Sequence, residues 1–537
     1  KPSEVIYMLF GTQNCPIEIS LETAKTYPDP FNDVELDVIF RDPEGYEHKV
    51  PAFWAGEGCW KVRYSSPKVG LHKWRSYCSD QTNADLHNKE GKLEILPYEG
   101  KNPLLLHGRL RVSENKKFLE HIDGTPFFWL ADTWWMGLCK RLAFPTDFSL
   151  LVEDRVKKGF TVIQIVAGLY PDMPAFDERG ANEAGFPWEE GFSRINPSYF
   201  DMADLRIHYL VKKGLLPCIV GCWGYYLPWL GIEKMKKHWR YLVARYGAFP
   251  VVWCLAGEGI MPYYLSKEPH KESEFQKKGW TELARYVREI DPYHHPLTIH
   301  PTDTARNQLE DPSLLDIDML QTGHSDRWSI PNTLHLLNSS YNANPKLPLI
   351  NGEVCYEGIG EACRQEVVRF MFWVSILSGA CGHTYGANGI WQVNTKEKPY
   401  GPSPHGMSWG NTPWEEAYQL PGSHQLGLAK SLLTRYEWWR FEPHQDWVEP
   451  AGTAGNWNAA YAGGIEGEVR IIFLPSGVWG IKVKNLERGA VYRAILFNPT
   501  NGKEEEMGKV EGDEKGNWTL PGVPPIFQDW ILILERL

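Results

Sequence analysis

The chain has 537 residues, 43% of them hydrophobic and 23% charged, with 56 Lys plus Arg against 67 Asp plus Glu for a formal net charge of −11. No apolar run reaches the roughly 18 residues of a membrane helix, no apolar leader follows Lys1-Pro2-Ser3-Glu4, and no Lys/Arg-rich tract is present to hold nucleic acid. Membrane and nucleic-acid partners are therefore excluded, while 24 Trp, 25 Tyr and 22 Phe make the aromatic content unusual at 13%.

Residues 1–100 alternate apolar and polar positions in short segments, Val34–Phe40, Gly58–Tyr64 and Gly70–Tyr77, separated by turns such as Asp42-Pro43-Glu44-Gly45. Period-two patterning with closely spaced turns predicts a β-sandwich. In residues 101–442 eight apolar runs alternate with helical stretches. The runs are Phe127–Asp132, Thr161–Ala167, Leu215–Trp223, Pro250–Glu258, Leu297–His300, Asp318–Thr322, Pro348–Glu353 and Ala380–Tyr385. Asn196-Pro197 opens one helix that Gly214 ends, and Glu233–Tyr246 and Glu272–Ile290 are two others. Eight such units predict an α/β fold, a (β/α)8 TIM barrel. The fifth unit is the weakest, because only about 20 residues separate the starts of runs five and six. Residues 443–537 return to alternation in Glu468–Leu474, Val478–Val483, Val491–Phe497 and Trp530–Leu534, which predicts a second small β-sandwich.

The ten cysteines fall largely inside the apolar runs, as small core residues do. Cys218 and Cys222 have CxxxC spacing, but no second pair follows at zinc spacing, so neither metal nor cofactor is expected. Free core thiols favour a reducing compartment. A cytoplasmic location is expected, with secretion after loss of a signal peptide as the alternative.

A barrel places its chemistry at the C-terminal ends of its strands. The residues expected there are Asp132, Trp134 and Trp135 after run one, Trp223 after run three, and Glu258 after run four. His300 and His324 follow runs five and six, Glu353 follows run seven, and His383, Tyr385 and Trp391 follow run eight. Glu258 and Glu353 each close a wholly apolar run beside glycine and stand 95 residues apart, three βα units, across the mouth from one another. Two carboxyls about 5 to 5.5 Å apart support a retaining glycosidase reaction, one protonating the leaving oxygen and the other attacking the anomeric carbon. Aromatic walls and a neighbouring carboxylate supply the raised pKa that the acid needs. Glu357 competes as nucleophile from four residues further on, while Glu361 is expected to open the next helix. The aromatics suit the apolar faces of sugar rings, and Asp132 and the three histidines suit hydroxyls. The segment from Tyr170 to Ser193, which holds Asp172, Asp177 and Arg179, is expected to shape the pocket. The expected partner is a carbohydrate substrate, with homo-oligomerisation left open. The alternative is a non-catalytic carbohydrate-binding protein on a degenerate barrel, against which the presence of both Glu residues argues. No HExxH or Ser/His/Asp set supports a protease.

These residues also carry a resemblance. Phe128-Trp-Leu-Ala-Asp-Thr-Trp-Trp135, Gly159-Phe-Thr-Val-Ile-Gln164, Val251-Val-Trp-Cys-Leu-Ala-Gly-Glu258, Pro348-Leu-Ile-Asn-Gly-Glu353 and Gly382-His-Thr-Tyr-Gly386 with Gly389-Ile-Trp-Gln392 are similar to segments of the clan A retaining glycoside hydrolases. Within that clan they resemble the apiosidase-like family. The resemblance implies a barrel with its acid/base at Glu258 and its nucleophile at Glu353. The expected activity is that of an exo- or oligosaccharide-acting retaining glycoside hydrolase, with Asp132 and the mouth aromatics holding the terminal sugar. The N-terminal sandwich resembles a module that precedes such barrels, and the C-terminal one the so-called collagen-binding module. Gly257 stands where much of clan A has Asn, and Glu258 where apiosidase-like members commonly have Asp.

Overall fold

The computed structural model describes residues 8–537. Its centre is a sheet of eight parallel strands: β1 (Trp129–Thr133), β2 (Val162–Val166), β3 (Leu216–Val220), β4 (Val252–Cys254), β5 (Leu297–Thr298), β6 (Asp318–Gln321), β7 (Leu349–Glu353) and β8 (Gly382–Tyr385). They pair in the order β5-β4-β3-β2-β1-β8-β7-β6, so β1 and β8 join and the sheet curls into a barrel. Between β5 and β6 the ladder is replaced by single bonds. The Asp316 N–H donates to the Leu297 carbonyl at 2.8 Å, and the Thr298 hydroxyl donates to the Ile317 carbonyl at 2.9 Å.

Seven long helices wrap the strands: α1 (Thr146–Lys157), α2 (Pro197–Lys212), α3 (Ile232–Tyr246), α4 (Pro269–Ile290), α5 (Ile330–Tyr341), α6 (Gln365–Leu377) and α7 (Pro421–Leu433). The expected fifth helix is missing. Its short segment folds into two 3₁₀ turns, Ala305–Gln308 and Pro312–Leu314, too little chain for a helix and its return.

Strands covered on both faces read as unbroken apolar runs, so only side-chain contacts fix which residues point inward. Gln164 reaches across the interior to the Gly352 carbonyl at 3.2 Å and approaches Thr133 Oγ1 at 3.4 Å, and the Trp129 indole donates to Thr384 Oγ1 at 3.0 Å. Thr133, Gln164 and Thr384 therefore face the interior. Alternation turns Asp132, His383 and Tyr385 toward the helices.

The N-terminal residues form a five-stranded sheet (Met8–Thr12, Leu36–Arg41, Glu47–Pro51, Gly70–Cys78, Glu90–Leu96) against a three-stranded one (Ile17–Glu22, Phe53–Gly56, Cys59–Tyr64). This sandwich docks on the backs of α2 and α3. Arg63 pairs with Asp204 at 2.6 Å, Arg240 with Asp37 at 2.9 Å, and the Tyr241 hydroxyl donates to the Trp54 carbonyl at 2.8 Å. The C-terminal residues pair a six-stranded with a three-stranded sheet. Of the expected strand Val478–Val483, only Lys482–Val483 forms. This second sandwich leans on α6, where Phe370 packs edge-on against Phe473 with centroids 5.2 Å apart. All ten cysteines are unpaired, and Cys218, Cys222 and Cys254 are buried in the barrel wall. No described helix is long and apolar enough to cross a membrane.

The C-terminal seam turns on one buried ion pair. Arg369 of α6 makes a two-pronged contact with Asp529 at 2.7 and 2.9 Å and also donates to Gln425 of α7 at 2.6 Å. Removing one partner of such a pair strands the other without water and costs about 3–5 kcal/mol. Arg369→Ala is expected to lower thermal stability by that order. Arg369→Met combined with Asp529→Leu is expected to recover most of the loss in the same melting experiment.

Candidate active site

At the C-terminal mouth the structure brings Glu258, Glu353, His300, His324, Trp135 and Trp223 together. Glu353 ends β7, and three donors converge on its carboxylate. His300 Nε2 lies 3.1 Å from Oε1, the Tyr356 hydroxyl donates to Oε1 at 2.5 Å, and His324 Nε2 lies 2.6 Å from Oε2. The Tyr356 backbone N–H donates to His324 Nδ1 at 3.1 Å, so the ring's proton sits on Nε2 and is given to Glu353. Burial opposes ionisation of Glu353, but the hydrogen bonds from His300 and His324 outweigh it and hold the carboxyl far below its usual range.

Local backbone irregularity aims Glu353 into the mouth. The β6–β7 register slips between Leu320 and Gln321, so Asn351 pairs with Leu320 but Glu353 with Gln321. Asn351 points outward to Ser375 of α6 at 3.3 Å. The slip at Gly352 gives Glu353 a direction that simple alternation would not fix, as bulges beside active sites do. Glycine is required there, since a Cβ would lie 2.3 Å from the Met319 side chain.

Glu258 follows β4 on a left-handed backbone, φ +46°, an unfavourable conformation for this residue type and one that clusters at functional sites. Its surroundings are the reverse of those at Glu353. Burial, then the charge of Glu353, then that of Asp172 push its carboxyl well above the usual range, and the neighbouring Trp223 offsets this only in part. The Trp223 indole N–H makes no hydrogen bond of good geometry within the described residues. Trp223 lies across Gly257, where a Cβ would come within 2.1 Å of its ring. Trp135 meets Trp223 and His300 edge-on, at 5.2 and 5.1 Å between centroids, and donates to the Tyr356 hydroxyl at 2.8 Å. Trp391 stands further back, 6.2 Å from the Tyr356 ring and 5.7 Å from Tyr400.

Four residues expected at the mouth are elsewhere. Asp132 is fully buried and its oxygens are taken. Oδ1 accepts from the Thr133 N–H at 2.8 Å, and Oδ2 accepts from the Trp134 indole at 2.7 Å and from Arg155 of α1 at 2.6 Å. Trp134 packs on Phe148 of α1, 5.7 Å between centroids. Tyr385 gives its hydroxyl to Glu357 at 2.5 Å, and the Arg155 guanidinium lies 5.6 Å from its ring. His383 packs edge-on against Phe372 of α6 at 5.4 Å, and burial pushes its imidazole down to about 3. The physical reason is the alternation established above: these side chains point into the helix layer. Glu357, the rival nucleophile, also lies outside the site, where its carboxylate accepts from the Gly422 N–H at 3.0 Å and caps α7. Glu361 lies in the 3₁₀ turn Ile359–Glu361 and does not open α6, which begins at Gln365.

The structure adds Tyr356 and Asp172 to the site. Cys355 turns the chain at φ +41°, so Tyr356 rather than Glu357 folds back onto Glu353. No spacing in the sequence marks that turn. Among the described residues no group of three His, Cys, Asp or Glu could hold a metal ion.

A barrel with one carboxyl after β4 and another after β7 is the clan A arrangement of glycoside hydrolases. The family model "Apiosidase-like, catalytic domain" matches residues 113–440, more than half of the chain, so this protein belongs to the apiosidase-like glycoside hydrolase family. A "Domain of unknown function (DUF5060)" matches residues 13–79, within the N-terminal sandwich. Among solved structures, one described as a glycoside hydrolase is 24% identical, with a TM-score of 0.67, over 81% of this chain and 98% of its own. A family 5 glycoside hydrolase from Bacteroides vulgatus is also 24% identical at a TM-score of 0.67, over 82% and 94%. A third structure, from the same species, is 15% identical but spans 98% of this chain and all of its own, at a TM-score of 0.72. At these identities the likeness is one of fold. No curated protein matches the chain.

Asp132→Asn separates a structural from a substrate-binding role. It removes one of the two carboxylates paired with the buried Arg155 guanidinium, leaving Asp154 at 2.6 Å, and is expected to cost about 1–3 kcal/mol of stability. Thermal melting should register the loss, while KM for an aryl glycoside should stay within about twofold.

Proposed function

We propose that the protein is a retaining, exo-acting glycoside hydrolase with Glu353 as nucleophile and Glu258 as general acid/base. The observation that carries this is the opposite treatment of two carboxyls in one recess. One receives three hydrogen-bond donors that favour its ionised form; the other is half-buried beside negative charge that favours its protonated form. Pairs of groups whose environments drive their pKa values apart mark acid/base assignments.

In the first step Glu353 Oε attacks the anomeric carbon while the Glu258 proton passes to the glycosidic oxygen. The C–O bond breaks, the alcohol leaves, and a glycosyl ester of Glu353 remains. Glu258, now ionised, takes a proton from water. The resulting hydroxide equivalent attacks the same carbon, Glu353 leaves as carboxylate, and Glu258 is protonated again. His300, His324 and Tyr356 hold the carboxylate in place and accommodate its loss of charge on esterification.

Action at a chain end is supported by how the loops meet over the mouth. The Tyr400 hydroxyl, from the segment after β8, donates to the Pro171 carbonyl after β2 at 3.2 Å. Arg179 donates to the Tyr400 and Pro402 carbonyls, each at 3.1 Å, and Tyr264, after β4, packs edge-on to His405 at 5.0 Å. These contacts tie the loops after β2, β4 and β8 together beside Asp172, an arrangement that suits a terminal sugar rather than a chain passing through. Trp135 and Trp223 are almost wholly buried and pack behind the two carboxyls.

Glu353→Ala is expected to abolish hydrolysis of an activated aryl glycoside with an unchanged circular dichroism spectrum; wild-type activity in that variant would refute the assignment. Glu258→Ala should lose about 10²–10⁴-fold on poor leaving groups, the usual worth of general acid catalysis. It should lose far less on a dinitrophenyl glycoside, where added azide should restore turnover and give a glycosyl azide of the substrate's configuration. Proton NMR of the first-formed wild-type product should show retention, and inversion would exclude the double displacement. The working form needs Glu258 protonated and Glu353 ionised. The kcat/KM profile should therefore fall as pH rises through the elevated Glu258 pKa, and ionisation of Glu353 itself should impose no acid limb near neutral pH. Glu258→Gln should remove the basic limb.

A further inference from the structure

We propose that Asp172 is the hydroxyl-binding carboxylate of this pocket, accepting hydrogen bonds from adjacent hydroxyls of the glycosyl unit held between Glu258 and Glu353. The proposal rests on the glycosidase reading for the identity of the ligand, and its basis is the geometry of the loop after β2.

Asp172 is 9% exposed, and among the described residues its carboxyl accepts no hydrogen bond of good geometry. Such a group is costly unless something completes it. Its backbone, by contrast, is fixed at both ends. Its N–H donates to the Tyr264 hydroxyl at 3.0 Å, and its carbonyl lies 3.5 Å from the Tyr400 hydroxyl. The backbone is left-handed at φ +58°, a conformation that Asp tolerates better than most residues. Loops after β2, β4 and β8 thus hold the backbone rigidly, while Tyr264 and Trp409 stand beside the carboxyl without a hydrogen bond of good geometry to it, as a preorganised binding group requires.

The carboxyl lies within electrostatic reach of both of the other acids and of the Arg179 guanidinium. Burial and then, among the charges, that of Glu353 push it up to about 6, while Tyr264 and Trp409 beside it favour the ionised form. It in turn helps raise Glu258. Trp409, from the segment after β8, keeps its indole N–H buried and unpartnered. An acceptor-only carboxylate beside an unpartnered N–H donor matches the paired donor and acceptor character of sugar hydroxyls. A carboxylate has two oxygens and can take two hydroxyls at once, which selects a sugar with neighbouring free hydroxyls over one substituted there.

The test takes the 4-nitrophenyl glycoside that wild type turns over fastest, with its monodeoxy analogues, and compares wild type with Asp172→Ala. Wild type is expected to lose roughly 10- to 100-fold in kcat/KM on one or two of the analogues, the worth of a hydrogen bond to a charged acceptor. Asp172→Ala should lose a similar factor on the full sugar and show no further loss on those analogues. Full activity in the variant, or unchanged discrimination among the analogues, would overturn the proposal. So would restoration of its turnover by azide, which would make Asp172 an acid/base instead. If wild type turns over no glycoside of the panel, the retaining reading fails by itself. Titration of the same glycosides by quenching of tryptophan fluorescence then decides the matter, since binding lost in Asp172→Ala upholds the role of Asp172 and equal binding removes it.

Discussion

Two carboxyls confined to one poorly hydrated recess cannot both ionise without a repulsion on the order of a few kcal/mol. The mouth of this barrel depends on how that conflict is resolved. His300, His324 and Tyr356 all serve Glu353, and Glu258 has no comparable donor. Ionisation is therefore favoured at Glu353 and opposed at Glu258. The supporting residues follow from that asymmetry. Trp135 orients the Tyr356 hydroxyl, the Tyr356 backbone sets the His324 tautomer, and Trp391 stands behind Tyr356. Each is one contact removed from the Glu353 carboxylate.

The barrel and both sandwiches were legible because periodicity is a property of the chain itself. Apolar runs separated by helical stretches fix eight strands, and alternation fixes the sandwich strands. Glu258 and Glu353 were legible for a related reason, since an acid that ends an apolar run beside glycine has few places to go but the mouth. What a fully apolar run does not disclose is its phase. Asp132, His383 and Tyr385 lie on runs covered on both faces, so either direction fits the sequence equally well. Only the contacts of Thr133, Gln164 and Thr384 reveal which residues face inward. Trp135, just past the strand end, escapes that ambiguity and reaches the site, whereas Trp134 beside it joins the helix layer.

The aim of the two carboxyls, and the rest of the site, are set by backbone turns that leave no compositional mark. Positive φ at Cys355, Glu258 and Asp172 re-aims the chain at three strand ends, and a one-residue slip at Gly352 redirects Glu353. Gly257 has a reason that only the folded structure supplies. The Trp223 ring occupies the space of any side chain there, so the position where related barrels carry an amide is covered by an indole instead.

The same residue chemistry appears twice in this barrel with opposite consequences. Behind β1 and β8, the carboxylates of Asp132 and Glu357 are satisfied by Arg155, Trp134, Tyr385 and the Gly422 N–H, and water is excluded. That network ties β1 and β8, whose pairing curls the sheet, to α1 and α7. Its members gain nothing by being reactive, because every oxygen is committed. In front of β4 and β7, Glu258 is left without comparable partners and Asp172 with none of good geometry. A completed hydrogen-bond set makes a buried carboxylate a strut; an incomplete one, held rigidly by its neighbours, makes it available to a ligand. The two sandwiches reinforce the division, since their ion pairs engage α2, α3 and α6 and leave the mouth to the loops.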